Sequence, residues 1–163
     1  MNITKLVNEI GCFDLQFRRD AKYNRINQPV YYGWKVQFVI ITKIDIGKED
    51  LIRQIQNTLG CGKIHYITGT QLRYSVQDID SLYNLIVPFF RENPLFGKKK
   101  QDFELWAEAI GILYQNKRKP IAGWNKEEFQ RLIDIQKTMK KYKVKTPSSF
   151  KWLSIAESIA KTL

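Results

Sequence analysis

Three consecutive lysines, Lys98, Lys99 and Lys100, stand between a break at Pro94 to Gly97 and a second apolar run. Ammonium groups held together in this way suit phosphate: each one that neutralises a backbone oxygen releases a counterion. A second set of polar groups alternates with apolar residues in stretches that read as strands: Asp14, Gln16 and Arg18, then Lys35 and Gln37, then Lys63, His65, Gln71, Arg73 and Ser75. Arg and Gln can pair bidentately with guanine and adenine edges, so this face is expected to read bases. Lys22, Asn24, Arg25, Asn27 and Gln28, in the loop between the first two strands, would extend it along a groove. The competing reading is a solvated lysine run beside an ordinary polar sheet face. Twenty-seven Lys and Arg against sixteen Asp and Glu, a net charge of +11, favour a polyanionic partner instead.

Other chemistries are poorly served. Cys12 and Cys61 are isolated and lack metal-ligand spacing, which argues against structural zinc and for buried thiols in a reducing compartment. His65 is the only histidine, so a histidine-rich metal centre is excluded. No stretch approaches the length of a membrane span, and no membrane partner is expected. Neither a signal peptide nor an import peptide is evident.

The elements that must position these groups follow from hydrophobic periodicity. Ile3, Leu6, Val7 and Ile10 have helical spacing. Phe13, Leu15 and Phe17 alternate with polar residues and predict a half-buried strand, and WKVQFVIIT from Trp34 predicts its partner. Leu51, Ile52, Ile55 and Leu59 predict a helix stopped by Gly60. GKIHYIT and TQLRYSV predict a hairpin, with Ile64, Tyr66, Leu72, Tyr74 and Val76 on its apolar side. Leu82, Leu85, Ile86, Phe89 and Phe90 predict a helix ended by Pro94. Another starts near Gln101 with Phe103, Trp106, Ala107, Ile110 and Leu113 inward. After the basic loop NKRKPIAG, Asn116 to Gly123, a helix capped by Asn125 and a last helix from Lys151 to Thr162 follow. The chain is thus an α+β domain of order αββαββα with extra C-terminal helices, divided into residues 1–142 and a basic linker and helix at residues 143–163.

The run PFF, then PL-x-GKK, then DF-x-x-W, from Pro88 to Trp106, resembles the single-motif LAGLIDADG homing endonucleases of group-I-intron type. The resemblance extends over roughly Ile10 to Met139. It implies a half-saddle whose four-stranded antiparallel sheet enters the DNA major groove. It also implies that a lysine in the loop, best matched by Lys98 and next by Lys99, approaches the scissile phosphates, and that Gln37 matches a second-strand glutamine near the solvent network. A group-I-intron origin implies an organelle-encoded protein, mitochondrial or chloroplast.

One family feature is missing. GCFDLQF aligns with the strand that follows the LAGLIDADG helix, which places the metal-binding acid at Ile10, the preceding small residue at Glu9 and the other acid at Asn8. Isoleucine cannot ligate Mg²⁺, which takes hard oxygen donors. Glu9 points about 100° away around the helix. The Ala-Gly pair falls on Thr4 and Lys5, too large or polar for close helix contact, so the family-type homodimer is not expected. The resulting expectation is a nucleic-acid-binding protein without cleavage activity and without a cofactor. Its partner would be DNA, intron RNA or ribosomal RNA, the last within a ribonucleoprotein assembly; the lysine-rich stretch from Lys137 to Lys151 leans toward RNA. The alternative is an active endonuclease that cuts double-stranded DNA with Mg²⁺.

Overall fold

The structure, a computed structural model, describes residues 2–19, 31–45, 47–140 and 148–163. Helix α1 (Ile3–Ile10) leads into β1 (Gly11–Arg19), followed by β2 (Tyr32–Lys43), α2 (Lys48–Leu59), β3 (Lys63–Thr68) and β4 (Gln71–Val76). Then come α3 (Ile79–Ser81), a π-helical turn (Leu82–Ile86), α4 (Val87–Glu92) and α5 (Gly97–Gln115). A 3₁₀ turn (Ile121–Gly123), α6 (Lys126–Lys140) and α7 (Ser148–Thr162) complete the chain. The sheet order is β1-β2-β4-β3. Strand β4 runs antiparallel to β2, with Ile40 opposite Tyr74 and Ile41 opposite Arg73, and antiparallel to β3, with His65 opposite Arg73.

The chain forms two compact units: Met1–Asp14 with Val36–Tyr114, and Leu15–Lys35 with Gln115–Leu163. Strands β1 and β2 run through the boundary. The alternation read in β1 is the alternation observed: Phe13, Leu15 and Phe17 are buried, while Asp14 and Gln16 are only partly covered. In the first unit Phe13 is surrounded by rings, with centroids at 4.9 Å to Trp106, 5.3 Å to Phe38, 5.4 Å to Phe103 and 5.7 Å to Phe90. The Trp106 indole N–H donates to the Asp14 carbonyl at 3.2 Å, so this large ring is buried with its polar atom satisfied. In the second unit Phe17, Phe129, Ile133, Leu153, Ala156 and Ala160 form the core, partly covered by Trp34 and Trp124. Buried Gln136 accepts from the Phe17 N–H at 3.3 Å.

Two expectations about helices need correction. Leu85 is 41% exposed and Phe89 only partly buried, whereas Leu82, Ile86 and Phe90 are fully inside. The cause is Pro88, which has no N–H to donate and whose ring would strike the carbonyl one turn back. The helix widens just before it: the Val87 N–H reaches the Leu82 carbonyl, an i→i+5 bond, and the inward face is displaced. The second correction is that α5 begins at Gly97, not near Gln101. Gly97 adopts φ +62° and the Lys100 N–H bonds the Phe96 carbonyl at 3.4 Å, so the three lysines form the first turn of a helix instead of a loop.

The hairpin start offers a direct test of packing. Gly62 has φ +97°, and a Cβ there would lie 2.5 Å from the ring of buried Tyr74. Burial pushes the Tyr74 pKa well up, so its hydroxyl remains a donor to the Cys61 carbonyl at 2.7 Å. Gly60 also has positive φ, at +75°, but open space around it. Gly60→Ala is therefore expected to cost only the backbone term of about 1–2 kcal/mol. Gly62→Ala adds a displaced Tyr74 and should cost clearly more. Denaturation midpoints of the two variants measure the difference; equal losses would show that the ring contact carries no weight.

Candidate nucleic-acid interface

On the polar face of the first unit, Asp14, Gln37, Arg73 and Gln77 are joined. The Gln37 Oε1 accepts from Arg73 Nη2 at 2.8 Å and from Gln77 Nε2 at 3.2 Å, and its Nε2 donates to Asp14 Oδ2 at 3.2 Å. Both acceptor sites of the amide oxygen are thereby filled, which fixes the amide orientation and leaves one N–H to offer. Gln37 cannot pair bidentately with adenine unless this network opens. Arg73 is partly buried, and its Nε has no acceptor among the described residues. Gln77 extends the alternation Gln71, Arg73, Ser75 by one step, which is the signal in the sequence that marks it. Ser75 corrects an expectation. It is 6% exposed, because it lies between Val39 and Lys63 in the interior of the sheet and not at an open edge.

Lys63 and His65 are exposed on β3, and Gln71 is half-buried at the start of β4. In the second unit Arg18 is exposed, while Gln16 and Lys35 are half-buried and make contacts within the chain. Lys22 and Arg25, with Asn24, Asn27 and Gln28, lie outside the described residues. The three lysines differ from one another. Lys98 and Lys100 are exposed, whereas Lys99 is half-buried and its ammonium donates to the Gly11 carbonyl. Lys99 is thus directed at the end of α1, and not outward with its neighbours.

That end of α1 is where Ile10 stands. Its side chain is 38% exposed and offers no oxygen, and the carbonyl of the next residue already holds an ammonium. Among the described residues no group of three or more His, Cys, Asp or Glu is placed to hold a metal ion. These donors do not fit the oxygen shell that Mg²⁺ takes. Thr4 and Asn8 are engaged elsewhere: the Thr4 hydroxyl donates to the Asn93 carbonyl at 3.4 Å, and Asn8 Oδ1 accepts from the Phe96 N–H at 3.2 Å. Both tie α1 to the turn between α4 and α5.

A model of the family described as LAGLIDADG endonuclease matches residues 10–110. The chain belongs to this LAGLIDADG family. The match opens on Ile10, so the body of α1 lies outside it. Among curated relatives, the "Uncharacterized 50.9 kDa protein in ND4 intron 1" of Podospora anserina is 31% identical over 71% of this chain and 24% of its own length. "Probable intron-encoded endonuclease 3" of Neurospora crassa is 26% identical over 65% of this chain and 20% of its own length. The LAGLIDADG chain described here therefore spans about a quarter or less of these relatives. Among solved structures, the homing endonuclease I-TnaI superimposes with a TM-score of 0.72 at 18% identity, covering 96% of this chain and 95% of that one. The meganuclease I-CpaMI bound to uncleaved DNA gives 0.72 at 18% identity, over 96% of this chain and 48% of that one. The fold is that of these endonucleases: an α+β arrangement on a four-stranded antiparallel sheet. No helix among the described residues is long and apolar enough to cross a membrane.

Proposed function

We propose that this chain is a LAGLIDADG protein that binds nucleic acid through phosphate and base contacts and does not cut it. The observation that carries this reading is the pair at the end of α1: an apolar Ile10 where an acid is needed, and the Lys99 ammonium on the Gly11 carbonyl. Removing the metal removes both water activation and stabilisation of the leaving oxygen, which together contribute most of the rate in metal-assisted hydrolysis. The net charge of +11 and the exposed Lys63, Lys98 and Lys100 remain suited to a polyanion. Double-stranded DNA is the partner that the structural neighbours favour, since several are described as bound to DNA targets. Intron or ribosomal RNA is the other form of the same reading, with base contacts weakened because the deep A-form groove excludes side chains. The intron-encoded relatives support an organellar origin, and the mitochondrion is the compartment we propose.

A second reading is an active homing endonuclease requiring Mg²⁺. It draws on the names of the relatives, two of which are called probable intron-encoded endonucleases. In that case Glu9, the carboxylate that α1 does carry, would have to serve in an altered site.

The two readings separate in one experiment. Fluorescence anisotropy with labelled duplex DNA and an RNA hairpin is followed over a salt series in EDTA, and the same duplex is incubated with Mg²⁺ and scored for nicks. Binding without nicking is expected. Lys98→Ala with Lys100→Ala should flatten the dependence of log affinity on log salt by about two units, near one per lost contact. Lys99→Ala should change it little, because that ammonium is spent on Gly11. A salt slope unmoved by the Lys98 and Lys100 changes would remove these lysines from the interface.

A further inference from the structure

We infer that the turn between α5 and α6, with Arg118 and Lys119 at its tip, is a separate phosphate-gripping element carried by the second unit. This rests on the nucleic-acid reading above and adds a site to it. Lys117, Arg118, Lys119 and, after the 3₁₀ turn, Lys126 are all exposed. Among the described residues neither Arg118 nor Lys119 has an ion-pair partner, whereas Lys117 makes a contact within the chain.

The backbone beneath them is held on both sides. Asn116 is 2% exposed; its Nδ2 donates to Glu128 Oε2 at 3.3 Å and its carbonyl accepts from the Lys119 N–H at 3.0 Å. Beyond the tip, the Gly123 N–H bonds the Pro120 carbonyl at 2.9 Å and the Trp124 N–H bonds the Ile121 carbonyl at 3.0 Å. Asn125 then caps α6 by accepting from the Glu128 N–H at 3.2 Å. Trp124 stands edge-on to Phe129, 5.7 Å away, in the core of the unit. Two cations therefore project from a backbone already ordered by a buried asparagine and by the packing of partly buried Trp124 on the core, which lowers the entropy lost on binding.

The local acids do not cancel this charge. Glu128 is engaged with Asn116, and Glu127 alone is exposed against Arg118, Lys119 and Lys126. A protein partner is a poor fit, since interfaces are anchored by buried aromatic or apolar side chains and none of the exposed large hydrophobic residues lies in this turn. A phosphodiester backbone fits, with the planar Arg118 guanidinium able to take two phosphate oxygens at once. Because the contact is to phosphate, it should not choose among bases.

The test is the double change Arg118→Ala with Lys119→Ala, read by anisotropy on labelled duplex DNA and on an RNA hairpin across a salt series. Affinity for every duplex sequence should fall together, and the salt slope should shrink by about two units. A fall on one of the two probes alone would also support the element and would assign it to that backbone. The charge-keeping pair Arg118→Lys and Lys119→Arg should retain the original slope, and far-ultraviolet circular dichroism melting checks that the alanine form folds. If the Lys98 and Lys100 changes flatten the slope and the turn changes do not, this inference is wrong while the nucleic-acid reading stands. If the unmodified chain binds neither the duplex nor the hairpin, both fail.

Discussion

Ile10→Asp alone is expected not to create a metal site. The new carboxylate would enter the chain one residue before the Gly11 carbonyl that already holds the Lys99 ammonium. Opposite charges about 4 Å apart attract by about 4 kcal/mol at an effective dielectric of 20, so the acid would pair with Lys99 before it met a cation. Ile10→Asp combined with Lys99→Gln frees the carboxylate and the Gly11 carbonyl together. Titration with Mn²⁺, followed by electron paramagnetic resonance, should find binding in the double variant at least roughly a hundredfold tighter than in the single one, each tenfold step being 1.4 kcal/mol. The unmodified chain should leave duplex DNA uncut in Mg²⁺. Robust cutting by the unmodified chain, or equal Mn²⁺ affinity in the single and double variants, would contradict this account of the α1 terminus.

Phe13→Ala is expected to cost about 3–5 kcal/mol, the usual range for removing a buried phenylalanine. Phe13 is 2% exposed and meets four aromatic rings from three other elements, so the hole cannot be filled by a small shift. Domains of this kind are stable by about 5–15 kcal/mol in all, so this one change removes a large part of the margin. Phe89→Ala is the control, since that ring is only partly buried and meets the cluster through Phe90, 5.1 Å away. Urea midpoints measure both. A Phe13→Ala loss no larger than that of Phe89→Ala would mean that the aromatic cluster is not the core of its unit.

Much of the architecture could be read from period and punctuation. The period-two pattern at Phe13, Leu15 and Phe17 fixes which side of β1 is inward, and Gly60 ends α2 where the periodicity stops. Asn125 was visible as a cap because the side chain that accepts and the helix start it serves are local. What periodicity could not show involves distance between elements. Arg73 and Gln37 are 36 positions apart, and their bond depends on strand order, not on spacing. Lys99 and Gly11 are 88 apart, so nothing local marks Lys99 as the lysine that points inward. Leu85 falls off the buried face because a proline two turns into a helix changes the period upstream of itself. Gly97 followed by three lysines has the composition of a loop, although its own backbone opens a helix.

That helix start has a thermodynamic consequence. The aligned peptide dipoles of α5 place partial positive charge at its N-terminus, the same sign as Lys98, Lys99 and Lys100, and its first turn contains no acidic residue to offset them. Each misplaced charge costs about 0.3–1 kcal/mol at low ionic strength, and salt screens the cost. A polyanion lying against this turn relieves the same repulsion, so its binding free energy includes a contribution that was stored in the free protein as reduced helix stability. The chain is accordingly least stable alone in dilute buffer and gains stability from either added salt or a bound polyanion, although added salt weakens the binding itself.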